Sequence, residues 1–143
     1  MNLWKRNVEL GLLIVRVLTG IIFLVHGISK FQGGIAGTQG FFQSVGIPTF
    51  LAPIVGGLEI VGGIALILGL FTRIAGVVLA VVIVGALLTA KMGQPFMMGT
   101  EFDYLVLFSS LQMALAGSAL LSLDHVIFGK KARGESRRFA QNS

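Results

Sequence analysis

An apolar run interrupted by one carboxylate dominates the sequence: Leu51-Ala-Pro-Ile-Val-Gly-Gly-Leu-Glu-Ile-Val-Gly-Gly-Ile-Ala-Leu-Ile-Leu-Gly-Leu70. A helix of about 20 residues, rising about 1.5 Å per residue, crosses the hydrocarbon core of a bilayer. An ionisable side chain within a span costs about 2.5–3.5 kcal/mol on insertion scales, so it is retained where it has a partner or a function. Glu59 is therefore the first candidate for a functional residue.

The composition indicates an integral membrane protein. Hydrophobic residues make up 55% of the chain, charged residues make up 12%, and the mean hydropathy is +0.90. Soluble domains carry roughly 25% charged residues. We predict an all-α bundle of four transmembrane helices, with spans at about residues 10–31, 52–71, 74–90 and 104–123. We expect residues 1–128 to form this single membrane domain and residues 129–143 to form a basic, disordered tail.

Basic residues predict how the chain is oriented. The tail 130–138, Lys5, Arg6 and Arg73 are basic, whereas the loop 32–51 carries no charge. The positive-inside rule then places both termini in the cytoplasm and the protein in the plasma membrane as a multi-pass protein. The net charge of +5 is thus explained by topology and lipid contact, and no nucleic-acid partner is expected. The outer loop 32–51 is expected to contain a short interfacial helix.

Depth along the helices predicts which buried charges meet. A rise of about 1.5 Å per residue places His26 and Glu59 at similar depth in the outer half of the bilayer, with Arg16 roughly 10 Å nearer the cytoplasm. Lys30 follows His26 by four residues and shares its helix face. Glycines around Glu59 let a neighbouring helix approach closely. We therefore predict that Glu59 faces His26, with Lys30 as a further member of the cluster and Arg16 as the less favoured partner.

This cluster suggests proton transfer or binding of a polar head group. A histidine beside a carboxylate titrates in an accessible range, and a quinone needs both a hydrogen-bond donor and a proton source when it is reduced. Tyr104 and Gln112 of the fourth span are further hydrogen-bond candidates. The alternative that the residues leave open is a structural ion pair that holds two helices together.

The remaining charges are expected to be structural. Arg73 or Arg16 is expected to pair with Asp124 near the cytoplasmic surface. Three outer-loop charges are expected to be solvated: Lys91, Glu101 and Asp103. Because the chain has no cysteine, it cannot supply thiolates for an iron–sulfur cluster or a thiol pair for disulfide exchange. We expect no built-in cofactor and no metal site.

Several motifs combine along the chain: Arg16-Val-Leu-Thr-Gly-Ile-Ile-Phe-Leu-Val-His-Gly-Ile-Ser-Lys-Phe31, Gly46-Ile-Pro48, Gly57-Leu-Glu-Ile-Val-Gly-Gly63, Leu70-Phe-Thr-Arg73 and Ser122-Leu-Asp124. Together, over about residues 8–125, they resemble the DoxX family of small four-helix bacterial membrane proteins. Members of that family commonly show a Gly-x-Gly stretch before the closing Ser-Leu-Asp. This chain differs there, with Gly117-Ser-Ala-Leu-Leu before that motif.

The resemblance implies an oxidoreductase subunit that acts through a membrane quinone or in resistance to quinones and electrophiles. Electrons would come from a soluble or membrane redox partner, and a homo-oligomer is compatible with this role. His26 and Glu59 would then handle protons. Four residues would contact the quinone or its polar head group: Arg16, Lys30, Tyr104 and Gln112. The alternative function is a non-enzymatic membrane scaffold or small-solute permease, whose buried charges hold helices together or line a path.

Overall fold

The computed structural model describes residues 2–127, apart from the side chains at positions 98 and 99. The predicted tail at residues 129–143 lies outside the described residues. Within the described range the chain is helical and has no strand, which confirms the all-α class. The elements follow in this order: α1 Leu3–Phe31, α2 Ala36–Ser44, α3 Leu51–Leu68, α4 Thr72–Leu88, a π-helical turn Phe96–Thr100 and α5 Glu101–Ala116.

The helices differ in how well they fit a bilayer. Among the described residues, α1 and α3 are long and apolar enough to cross a membrane, and α4 is a shorter apolar helix. The short helix predicted in the loop 32–51 is present as α2. The number of spans and the side on which the termini lie stay predictions.

Helices α1 and α3 pack against each other through glycine residues. A Cβ added to Gly20 would lie 2.7 Å from the carbonyl oxygen of Gly63, and a Cβ on Gly27 would lie 2.9 Å from the carbonyl oxygen of Gly56. The two backbones therefore touch directly, as predicted for small residues in membrane helices. Gly62 faces α4 rather than α1, because a Cβ at this position would contact the side chain of Leu79.

The apolar core lies where α1, α3, α4 and α5 meet. α1 packs mainly on α3, α3 packs on α4, and α4 packs extensively on α5. The buried core comprises Phe23, Leu66, Ala75, Leu79, Ile83, Val106 and Met113. The outward faces carry large apolar side chains such as Val61 and Val81, which are 68% and 66% exposed. An exposed apolar surface of this extent is typical of contact with lipid or protein rather than water.

A tight turn at residues 69–71 joins α3 to α4. Gly69 ends α3 in the left-handed conformation with a φ of 67°, and Phe71, with a φ of 48°, precedes α4. Gly69 is required for space as well as backbone geometry, because a Cβ there would lie 2.7 Å from the Cα of Ser122 and 3.0 Å from Nη1 of Arg16.

The predicted fourth span, 104–123, is wrong at its C-terminal end. α5 ends at Ala116, and Gly117 leaves the helix with a φ of 64° and a ψ of −166°. Leu121 then adopts a φ of 48°. Non-helical backbone at membrane depth is tolerated where protein groups satisfy its carbonyls. Arg16 provides donors for this segment, and residues 117–122 are non-helical although their composition is largely apolar.

Candidate functional site

Glu59 forms an ion pair with Lys30. The Lys30 Nζ donates to Glu59 Oε2 at 2.8 Å, with the two side chains 22% and 6% exposed respectively. The pair joins α1 to α3 beside the contact between Gly27 and Gly56. The buried carboxylate therefore has a partner, and the predicted pairing of Glu59 with His26 is corrected to Lys30.

Rotation about the axis of α1 explains this partner. Gly20 and Gly27 mark the middle of the α1 face that contacts α3. At about 100° per residue, Lys30 lies about 60° from Gly27, whereas His26 lies about 100° away. Lysine also has a flexible four-carbon stem that carries its ammonium back towards α3. Depth matched His26 to Glu59, but helical phase and side-chain length favour Lys30.

His26 is turned towards α5. Its ring stacks on Phe102 with a centroid separation of 5.6 Å and an interplanar angle of 21°. Its Nδ1 lies 2.8 Å from the backbone oxygen of Ile22. Because a carbonyl can only accept, Nδ1 carries a proton in this hydrogen bond, which leaves Nε2 to accept one. The His26 side chain is exposed.

The short helix α2 is held beside the ion pair. Thr38 Oγ1 donates to the backbone oxygen of Lys30 at 2.8 Å, and Phe42 is 7% exposed. The ring of Phe31 lies over Gly56, 2.7 Å from where a Cβ would stand. The end of α1 thus contacts both α2 and α3. These contacts fix the backbone of Lys30 at a position from which its side chain reaches Glu59.

Arg16 lies apart from this pair and is buried, with 1% of its surface exposed. Its Nη1 donates to the backbone oxygen of Leu120 at 2.9 Å and to the oxygen atoms of Ser118 at 3.2–3.3 Å, while Nη2 donates to the backbone oxygen of Leu121 at 3.0 Å. The guanidinium thus satisfies the carbonyls of the segment that follows α5. Arg16 therefore stabilises a non-helical segment, which is a structural role.

Asp124 caps α4 from a distant part of the chain. Its carboxylate accepts from the backbone N–H groups of Phe71 and Thr72, at 2.6 and 2.9 Å. A negative charge is favourable at a helix N-terminus, where backbone donors lack partners. The predicted ion pair of Asp124 with Arg73 or Arg16 is absent among the ion pairs of residues 2–127. Arg73 instead makes a 3.5 Å hydrogen bond to the backbone oxygen of Ala116.

A second ion pair joins the loop after α4 to the first turn of α5. Asp103 Oδ2 lies 3.6 Å from Lys91 Nζ, and Asp103 is 9% exposed. The prediction that Asp103 is solvated is therefore wrong. Its position in the first turn of α5 favours the negative charge, a signal that the sequence contained.

Tyr104 and Gln112 lie on exposed positions of α5. The Tyr104 ring packs against Phe96 at 5.9 Å, and Tyr104 is 40% exposed. Gln112 is exposed. Neither residue is among the hydrogen-bond partners of Glu59 or Lys30 in the described range. Their roles towards a ligand stay predictions.

The site residues thus divide into two groups. Lys30, Glu59 and His26 belong to the last turns of α1 and the middle of α3, whereas Arg16 and Asp124 hold the opposite end of the bundle. Sequence reasoning missed the acceptors of Arg16, because backbone carbonyls carry no residue signature. It also missed the hydrogen bond from Thr38 to the backbone of Lys30. The one available signal was a hydroxyl in a loop that carries no charged residue.

Comparisons with known proteins relate the chain to membrane proteins. The DoxX family model matches residues 11–92. A Bacillus subtilis (strain 168) protein named "Putative oxidoreductase CatD" is 48% identical over 130 residues, which cover 91% of this chain and 96% of that protein. The "Inner membrane protein YqjF" of Escherichia coli (strain K12) is 39% identical over 69 residues, 48% of this chain and 52% of that protein. No solved structure matches the chain at a significant level.

Proposed function

We propose that this chain, which belongs to the DoxX family, is the membrane subunit of an oxidoreductase that works with a membrane quinone and receives electrons from a partner protein. The Bacillus subtilis relative is named as an oxidoreductase, and it aligns with most of the chain. The family match at residues 11–92 includes Lys30, Glu59 and His26. The chain has no cysteine for an iron–sulfur cluster, so electron supply is assigned to the partner.

The observation that carries the proposal is the 2.8 Å ion pair of Lys30 with Glu59. A carboxylate that is 6% exposed is held beside an ammonium that is 22% exposed, between two helices packed on glycine. The hydrogen bond between them allows a proton to pass from nitrogen to oxygen without changing the net charge of the pair. Ionisable residues within apolar helices are rare, and they commonly belong to proton or ligand pathways.

The ammonium of Lys30 supplies hydrogen-bond donors of the kind that a quinone oxygen needs. A quinone, when bound, takes up two electrons and two protons. Lys30 has three N–H donors, and Glu59 is its one side-chain acceptor in the described range, so further donors can meet a quinone oxygen. His26 lies one helical turn before Lys30 on α1 and is exposed, and we assign it the role of passing protons to the pair. Tyr104 and Gln112 are candidates for contacts with the head group.

One observation favours a non-enzymatic scaffold as the second candidate. Lys30 and Glu59 are in direct contact, and they join the two helices that pack most extensively. A closed ion pair of this kind can hold α1 on α3 without any chemistry. Under this alternative the protein is a membrane scaffold, and loss of the pair lowers its abundance rather than a reaction.

The test compares Glu59→Gln, Lys30→Gln and His26→Ala in cells challenged with a quinone, while protein abundance in the membrane is measured. Lys91→Gln, in the more exposed ion pair with Asp103, is the matched control. Loss of quinone resistance at normal abundance supports the redox proposal. Equal loss of abundance and resistance supports the scaffold. Resistance that is unchanged in all three variants contradicts the redox proposal.

The double variant Lys30→Glu with Glu59→Lys separates the two functions further. The reversed pair can restore the contact between the helices, but it moves the ammonium to the position that is 6% exposed. Under the redox proposal, abundance recovers and resistance does not. Recovery of both would show that the contact alone is needed.

A further inference from the structure

A cavity lies between the start of α4 and the end of α5, on the side of the molecule away from the Lys30–Glu59 pair. It has a volume of about 440 Å³, which is within the range of small-ligand sites. Its polar lining consists of Thr72, Arg73, Ser118, Ser122, Asp124 and His125. None of these residues belongs to the proposed proton-handling group, so the cavity is a separate feature.

The cavity is rich in hydrogen-bond donors that have no acceptor. The Thr72 side chain is 2% exposed, and its hydroxyl has no hydrogen-bond partner within the described part of the chain. Ser118 Oγ accepts from Arg16 and Ser122 Oγ accepts from the His125 N–H, so neither hydroxyl proton is used in these bonds. A buried hydroxyl without a partner costs free energy, and an acceptor in the cavity would remove that cost.

The charges of the cavity favour an anion. Arg73 is exposed and makes a 3.5 Å contact with one carbonyl oxygen, so its guanidinium retains donors for a ligand. The carboxylate of Asp124 is already engaged by the Phe71 and Thr72 N–H groups. Arg16 stands directly behind Ser118 and adds a second positive charge. An acceptor-rich, negatively charged group such as a phosphate matches this arrangement.

A separate apolar groove lies further along α4. It has a volume of about 310 Å³ and is lined by Val77, Ala80, Val81, Val84, Leu107 and Leu111. Val77, Ala80 and Val84 follow Arg73 at four, seven and eleven residues, which places them on the same stripe of the helix. At about 1.5 Å per residue the groove centres about 12 Å from Arg73. The molecule thus has a polar recess and an apolar channel on one helix face.

We propose that this face binds an anionic phospholipid, with the phosphate of the head group in the cavity at Arg73 and one acyl chain in the groove along α4. Basic pockets between membrane helices are suited to anionic head groups, and a hydrocarbon chain fills a groove that offers no polar partner. The separation of recess and groove selects an amphiphile over a free anion. The proposal does not depend on the redox function.

Native mass spectrometry of the full-length chain in detergent tests the site, with phosphatidylglycerol and phosphatidylcholine as probes. We expect phosphatidylglycerol to bind about tenfold more tightly, and Arg73→Gln to remove that preference. Arg6→Gln, which alters an exposed arginine outside the cavity, is the matched control and keeps the preference. Equal binding of both lipids, or an unchanged preference in Arg73→Gln, would overturn the proposal.

A second pair of variants tests the groove and distinguishes a lipid from free phosphate. Val81→Phe fills the groove, whereas Val61→Phe adds the same bulk to an equally exposed position of α3. We expect only Val81→Phe to weaken phosphatidylglycerol binding, by about fivefold. If both variants bind as the wild type does, and inorganic phosphate competes as well as the lipid, the site is one for a free anion and the lipid proposal is wrong.

Discussion

Gly20 of α1 and Gly63 of α3 stand in mutual contact: a Cβ on either residue would lie 2.7 Å from the carbonyl oxygen of the other. Real Cβ atoms do not approach this closely, so the two positions must remain without side chains. The spacing that they impose brings α1 near enough to α3 for Lys30 to reach Glu59. The buried ion pair therefore depends on the close packing of the two glycines.

Gly63→Ala should destabilise the protein, because the new methyl group meets the backbone of Gly20 and Leu24 rather than a flexible side chain. Overpacking of this kind costs about 1–3 kcal/mol. Gly57→Ala is the control, since a Cβ there meets nothing within 4 Å and alanine favours the helix by up to about 1 kcal/mol. Thermal unfolding of the detergent-solubilised protein measures both. Equal midpoints for the two variants would contradict the packing.

The Lys30–Glu59 pair should show strong energetic coupling in a double-mutant cycle of Lys30→Met and Glu59→Gln. Removing one partner leaves the other charge buried, so we expect a coupling of about 1–3 kcal/mol. The same cycle at Lys91 and Asp103, where the lysine is 41% exposed and the distance is 3.6 Å, should give less than about 1 kcal/mol. Chemical unfolding in detergent gives both values. Similar coupling at the two pairs would argue against a special role for Glu59.

Arg16→Lys should be strongly destabilising although it keeps the charge. A lysine ammonium lacks the planar fork that serves Ser118, Leu120 and Leu121 together, so at least one buried carbonyl loses its donor. We expect a cost of about 1–3 kcal/mol for each unsatisfied group. Arg73→Lys should cost less than about 0.5 kcal/mol, because Arg73 is exposed. A stable Arg16→Lys protein would show that the turn does not need the guanidinium.

Asp124→Asn should loosen the start of α4. The amide has one acceptor oxygen in place of two, and it lacks the charge that favours the helix N-terminus. We expect a loss of about 1–2 kcal/mol, a typical value for a helix cap. Hydrogen exchange should speed up at the Phe71 and Thr72 amides, which donate to this carboxylate, and stay constant in α1. Uniform acceleration across the chain would indicate a global effect instead.

His26→Phe should separate structure from proton handling. Phenylalanine preserves the stacking on Phe102 but has no ring nitrogen. Stability should change by less than about 0.5 kcal/mol, since the position is exposed. Quinone resistance should fall in this variant, and we expect the same fall in His26→Ala. Full resistance in the phenylalanine variant would remove His26 from the proposed proton path.

Much of the local structure could be predicted from the sequence. The all-α class, the helix in the loop 32–51 and the close approach permitted by Gly56 and Gly63 follow from apolar runs and residue size. The C-terminal end of α5 could not be predicted, because residues 117–123 have the composition of a continued span. The segment that follows the helix is held by hydrogen bonds from Arg16, which lies more than 100 residues earlier in the chain.

The sequence by itself determined that Glu59 is a costly acid in an apolar, glycine-lined helix and that some partner had to be near it. Only the tertiary structure decided which partner that is. His26 and Lys30 lie one helical turn apart on α1, and their directions relative to α3 depend on where Gly20 and Gly27 contact that helix. The same holds for Arg16 and Asp124. Their partners are backbone groups, which every residue has, so nothing in the sequence distinguishes them until the chain is folded.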